Sequence, residues 1–204
     1  MMTGERRESV GMETGKRRSV RDRIVDAALE LGEERGWSNV RLYLVAERAG
    51  VPLGTIGAEF RDLDALANAW FARALAMVER MPPQALTDQT APERLHLVIM
   101  RWFDALAPHR AVTGEMLRAK LYPSHPQHWA PLVFDLSRLI HWFLDAARVA
   151  STGRGRQLAE IGLTAIFLGS LRVWLRDDSA GNERTRSYLR RRLAAADRLL
   201  ARLA

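Results

Sequence analysis

The 204-residue chain predicts an all-α protein, and three observations carry that prediction. Apolar residues recur at helical spacing in one segment after another. No segment alternates apolar and polar residues as a half-buried strand would. Between Val45 and Ile56 two short helical patterns flank a Gly-Val-Pro turn.

Residues 1–18 are polar and without periodicity, and they are expected to form a disordered basic tail. Ser19 suits the cap of a first helix, in which Ile24, Ala27, Ala28 and Leu31 share a face and which Gly36 ends. A short helix over Leu42 to Ala49 follows. Gly50-Val51-Pro52 turns the chain into another short helix, about Leu53 to Phe60. Asp62 is placed to cap a long fourth helix carrying Leu63, Leu66, Trp70, Ala74, Met77 and Met81. Met81-Pro82-Pro83 stops it, and the stretch to Pro92 reads as a linker and a boundary. Further helices are expected over 92–106, 110–121, 127–150, 155–177 and 183–203.

Composition narrows the function classes. Apolar residues make up 48 % of the chain and charged residues 27 %, which suits a globular core. With no cysteine, disulfides and thiolate metal sites are excluded. Runs such as Leu163 to Leu168 are far too short to span a membrane, and the opening residues carry no apolar segment of a secretory signal. These features point to the cytoplasm. The formal charge of +7 favours an anionic partner. Yet residues 17–66 hold eight arginines against nine carboxylates, a net of −1, while residues 184–204 hold seven arginines against Asp197, a net of +6.

The pattern Val45-Ala46-Glu47-Arg48-Ala49-Gly50-Val51-Pro52-Leu53-Gly54-Thr55-Ile56 fits a helix-turn-helix. Two short helices crossing steeply need a small residue at their contact, supplied by Ala46, and a residue tolerant of positive φ in the turn, supplied by Gly50. Val45, Val51, Ile56 and Phe60 would close a small core beneath them. Spacing alone also admits a helical hairpin with no nucleic-acid role.

Residues 20–66 resemble the DNA-binding domain of tetracycline-repressor (TetR/AcrR-type) regulators. The resemblance rests on Ile24-Val25-Asp26-Ala27-Ala28-Leu29-Glu30-Leu31, Glu34-Arg35-Gly36-Trp37, Val45 to Val51, Gly54-Thr55-Ile56, Phe60 and Asp64-Ala65-Leu66, which arrive in the family's order. It implies a helix-turn-helix domain over 19–66 and a helical ligand-binding and dimerisation domain over 67–204. It also implies a homodimer whose recognition helices enter successive major grooves of operator DNA. Departures fall on the reading face. Arg41 stands where the family caps the second helix with Thr or Ser, and Leu53, Gly57, Ala58, Glu59 and Leu63 replace polar, aromatic or basic residues. Thr55 remains a phosphate-contact candidate, whereas Glu59 would repel phosphate. Arg17, Arg18, Arg21, Arg41, Tyr43, Arg48 and Arg61 are the other candidates for DNA contact, of the kind that positions a protein without reading sequence.

In the second part, Trp102, Met116, Trp129, Phe134, Trp142 and Phe167 are candidates to line a cavity for a small hydrophobic ligand, with plain core packing as the competing assignment. His125 and His128 flank Pro126-Gln127, but a metal site needs three or four converging ligands, and these read as surface residues. No nucleophile–base–orienter set, phosphate loop or carboxylate dyad is recognisable, so neither an enzyme nor a cofactor is expected.

The last helix sets Leu189, Leu193, Leu199, Leu200 and Leu203 against Arg190, Arg191, Arg192, Arg198 and Arg202. Such a helix either packs on its own domain or a dimer partner, or lies on an anionic membrane surface through residues 184–204. Around Trp174-Leu175-Arg176-Asp177-Asp178-Ser179 and Tyr188 to Leu193 the chain is also similar to the TetR-like lipid-binding accessory proteins of ubiquinone biosynthesis, over only some twenty residues. The leading expectation is therefore a ligand-released repressor, and the alternative is a lipid-binding accessory protein that does not read DNA.

Overall fold

The computed structural model describes residues 19–120, 129–150 and 153–202, and for 129–134 and 154 the backbone alone. Arg17, Arg18, the rest of the expected tail, and His125 and His128 lie outside the described residues.

Nine α-helices occur among the described residues, with no strand: α1 Val20–Arg35, α2 Leu42–Ala49, α3 Leu53–Glu59, α4 Leu63–Glu79, α5 Ala91–Leu106, α6 Arg110–Lys120, α7 Trp129–Ala146, α8 Gly153–Trp174 and α9 Glu183–Ala201. Local chemistry sets the first boundaries. The Ser19 hydroxyl accepts from Asp22 N–H at 3.0 Å and starts α1. Gly36, at φ 80°, ends it. Gly50 is left-handed (φ 64°, ψ 43°), and the Val51 N–H reaches back to the Ala46 carbonyl at 3.0 Å. The Asp62 carboxylate accepts from Ala65 N–H at 2.7 Å and starts α4. Thr90 and Glu93 form a capping box at α5.

Two expectations give way to long-range contacts. Leu86 is buried and Pro83–Leu86 forms a 3-10 turn, so the proline-rich stretch after α4 is an ordered corner rather than a loose linker. α7 ends at Ala146, four residues short of the expected 150. There Arg148 takes a left-handed conformation (φ 51°), and the Arg94 guanidinium donates to the Ala147 carbonyl at 2.7 Å, satisfying the frayed end from α5.

Ile24, Leu29, Val45, Ile56, Phe60 and Leu66 form the buried centre under α1–α3. The core runs on without a break through Trp70 and Ala74 to Phe103, Phe143, Phe167, Trp174 and Leu189. α4 packs along α5, and α9 packs on both α5 and α8. Leu189 and Leu193 are buried in that packing, leaving Leu199 and Leu200 of the expected stripe exposed. No helix among the described residues is long and apolar enough to cross a membrane.

Candidate nucleic-acid interface

α2 and α3 form a hairpin held to α1 from beneath, which leaves one side of α3 in solvent. The helical period divides that side into three rows: Leu53 with Gly57, Gly54 with Ala58, and Thr55 with Glu59. All are exposed except Thr55, which is half-buried; Leu53 is 53 % exposed. Tyr43, at the start of α2, is exposed beside this hairpin.

The described arginines among those expected to hold DNA, Arg21, Arg41, Arg48 and Arg61, are engaged within the module. Arg21 donates from Nη1 to the Glu59 carboxylate at 3.3 Å and to the Glu59 carbonyl at 3.0 Å, and its guanidinium lies 4.3 Å over the Phe60 ring. Glu59 is therefore paired with a cation at the end of α3. Arg41 donates to the Ser38 and Val40 carbonyls, each at 2.8 Å. Arg48 forks onto both oxygens of Glu34 at 2.7 Å and reaches Glu30 at 3.3 Å, which ties α2 to α1 and holds the Glu34 carboxyl below its ordinary range. Arg61 bonds Asp62 at 2.8 Å on an otherwise open side chain.

Behind the module lies a second set of contacts that sequence reasoning missed. The Trp37 backbone N–H donates to Glu115 of α6 at 2.5 Å. Glu33 of α1 meets His109 Nδ1 at 2.7 Å. The Trp70 indole N–H donates to Thr113 Oγ1 at 2.9 Å, and Lys120 pairs with Asp64. A Cβ on Gly32 would stand 2.7 Å from Val112 Cγ1, so α1 and α6 approach as closely as backbone allows. These pairs lie 43 to 80 residues apart in sequence, and no local pattern could have announced them.

Of the expected cavity residues, Trp102 and Phe167 meet in the interior at 5.5 Å between ring centroids, and Met116 is buried as well. Trp102 makes edge contacts with Phe103, Phe143 and Phe167 at ring-centroid distances of 5.5–6.2 Å, and Phe71 stacks on it at 6.3 Å. Trp142 is not part of this group. It is 43 % exposed and lines an open cleft of about 330 Å³ with Leu75, Val78, Val98 and Ala146. The Trp129 and Phe134 side chains lie outside the described residues. The buried indole N–H groups of Trp102 and Trp174 find no acceptor among the described residues, an uncommon state for buried donors.

Residues 24–70 match the family profile described as bacterial regulatory proteins, tetR family. Among solved structures, the chain is similar to a TetR transcriptional regulator from Nitrosomonas europaea, with 38 % identity, a TM-score of 0.77, and coverage of 87 % of this chain and 97 % of that one. Two shorter likenesses are to the fatty acid metabolism regulator protein of Bacillus subtilis (34 % identity, 41 % of this chain) and the HTH-type transcriptional regulator BetI of Pseudomonas fluorescens (32 % identity, 42 % of this chain). The matches span only 44 % and 45 % of those two relatives' own lengths.

Proposed function

The chain belongs to the TetR family of bacterial transcriptional regulators, and from that premise we propose that it is a homodimeric repressor released from operator DNA by a small hydrophobic effector. Residues 19–66 serve as the DNA-binding unit and 67–204 as the effector-binding and dimerisation unit. The observation that carries this reading is the α6 interface. One short helix touches the helix-turn-helix module through Glu115 and Val112, with His109 just before it meeting Glu33, and its Met116 is buried.

An effector that enters the aromatic interior must displace packed side chains and shift α6. α6 is tied to α1 and α4 by the Trp37–Glu115, Trp70–Thr113 and Lys120–Asp64 contacts, so the module moves with it. The effector favours release only if it binds the displaced arrangement more tightly, and the coupling is reciprocal. The unpartnered Trp102 N–H in an aromatic setting suits an apolar effector that carries one hydrogen-bond acceptor.

Support for the homodimer comes from α8. Leu158, Ile161, Ala165 and Leu168 follow a three-and-four spacing on its outer face and are all exposed, Ile161 by 69 %. A continuous apolar stripe of that kind suits a second copy of the same helix. On the DNA side, Thr55, Tyr43, Arg21, Arg41 and Arg61 line the outward surface, and the arginines would exchange their internal partners for phosphates.

The test is footprinting on DNA upstream of the protein's own gene at about 0.15 M salt with competitor DNA, salt being the variable that separates specific from sequence-blind binding. A palindromic, saturable footprint is expected, lost when Ile161→Arg makes the protein monomeric in sedimentation. Sequence-blind, salt-sensitive binding by a dimeric protein would overturn the reading.

A further inference from the structure

The recognition helix has an unusual inventory, and the inference drawn from it rests on the operator-binding reading above. α3 is Leu53-Gly54-Thr55-Ile56-Gly57-Ala58-Glu59, without a single Arg, Lys, Asn, Gln or His. Ile56 is buried, so the groups that can face a base are the Leu53 side chain, the Ala58 methyl, Thr55 and the Glu59 carboxylate. In the major groove guanine presents only acceptors, N7 and O6, and is read by donor side chains that fork onto both. Nothing on α3 can do that. Glu59, itself an acceptor, opposes the guanine edge. The neighbouring guanidiniums of Arg21, Arg41 and Arg48 are held on Glu59, on backbone carbonyls and on Glu34.

What α3 offers instead is apolar surface. Leu53 is 53 % exposed at the leading end, and Ala58 is exposed one turn along. Gly54 and Gly57 pack against nothing in the protein: a Cβ on either would meet open space, and neither takes a positive φ. In a seven-residue helix both glycines cost stability without internal return. Their effect on the outer face is to let the helix backbone approach the bases, which brings Leu53 and Ala58 to the groove floor. The one apolar group on the major-groove floor is the thymine 5-methyl.

We infer that this recognition helix reads its operator half-site through thymine methyl groups packed on Leu53 and Ala58, and makes no forked guanine contact. Sequence preference then comes from burial of methyl groups, and the phosphate contacts hold the register.

The experiment uses the full chain and duplexes selected by it from a random library. The selected motif is expected to hold thymines in each half-site. Replacing these thymines by deoxyuridine, which lacks only the methyl, should weaken binding about four-fold per contacted base, the value for one buried methyl-sized group. Leu53→Ala, a change at an exposed position, should bring the thymine-to-uracil ratio at its base to about one while leaving the other bases unaffected. Replacing guanines by 7-deazaguanine should change affinity by no more than about two-fold. A motif that tolerates deoxyuridine but loses about ten-fold with 7-deazaguanine overturns this inference and leaves the operator reading standing. A library from which no motif emerges overturns the operator reading, and this inference with it.

Discussion

Protonating or neutralising Asp177 should loosen the C-terminal helix by an amount that depends on pH. Asp177 is 1 % exposed, yet one carboxylate oxygen accepts from the Ser179 N–H at 3.0 Å and from its hydroxyl, and the other from the Thr185 N–H at 2.8 Å and its hydroxyl at 2.6 Å. Burial alone would raise its pKa, but these four donors outweigh that effect and hold it at about 2, below an ordinary value of 3.8. Because the folded pKa is depressed, the stabilisation is complete above pH 5 and disappears as pH falls through 3.8 towards 2. The difference corresponds to about 2 kcal/mol, of which about half is lost by pH 3. Asp177→Asn keeps the shape and one acceptor but presents an amide to the two Thr185 donors, so it removes the pH-dependent part. Urea unfolding of both proteins at pH 6 and pH 3 is the assay. The gap between them should narrow by about 1 kcal/mol over that interval. A gap that stays constant would refute the argument, since it would mean that the ionised carboxylate does not anchor the start of α9.

Three further outcomes follow from the module and its interface. Gly32→Ala forces a methyl into Val112 and should cost about 1–3 kcal/mol in urea unfolding; adding Val112→Ala should recover part of that loss, and strictly additive effects would refute the close approach. Thr113→Val strips the acceptor from the Trp70 indole and the donor from the His109 carbonyl, and should destabilise by about 1–3 kcal/mol despite its near-equal volume. Arg48→Gln should leave operator affinity and its salt slope unchanged, because the fork onto Glu34 faces α1; a slope lower by about one would return Arg48 to the phosphate contacts.

How much was legible in the sequence followed the range of the interactions. α1 to α4 could be bounded closely because their ends are set by neighbours a few residues away: Ser19, Gly36, Gly50 and Asp62. The end of α7 could not, because no Gly or Pro marks it and its carbonyls are satisfied by Arg94, 53 residues earlier. The stretch Met81 to Pro92 read as a linker from its prolines, although Leu86 is buried there. Trp142 read as lining one cavity with Trp102 and Phe167 because α7 is apolar on more than one face, and periodicity cannot say which face a neighbour covers. Within the candidate site, the identity of the exposed α3 residues was readable, but the occupation of Arg21 by Glu59 was not. Glu59, expected to repel phosphate, is paired with an arginine at the end of α3.

The distribution of charge bears on how such a protein can bind DNA at all. The chain's +7 suggests strong electrostatic attraction, but +6 of it falls within residues 184–204, on and just beyond α9, whose packing is against α5 and α8. The module that carries α3 has a net of −1 over residues 17–66, and several of its arginines spend their hydrogen bonds on internal acceptors. A phosphate contact by Arg21 or Arg61 must replace an existing ion pair, so its net gain is smaller than that of a free arginine. On the proposed reading counterion release per module is correspondingly modest, and a low non-specific affinity is expected. A weak electrostatic background leaves the fit of α3 against the base edges as the larger share of discrimination. On the proposed reading the same lean module favours release: a displacement of α6 transmitted through Glu115 and Val112 would have little phosphate attraction to overcome.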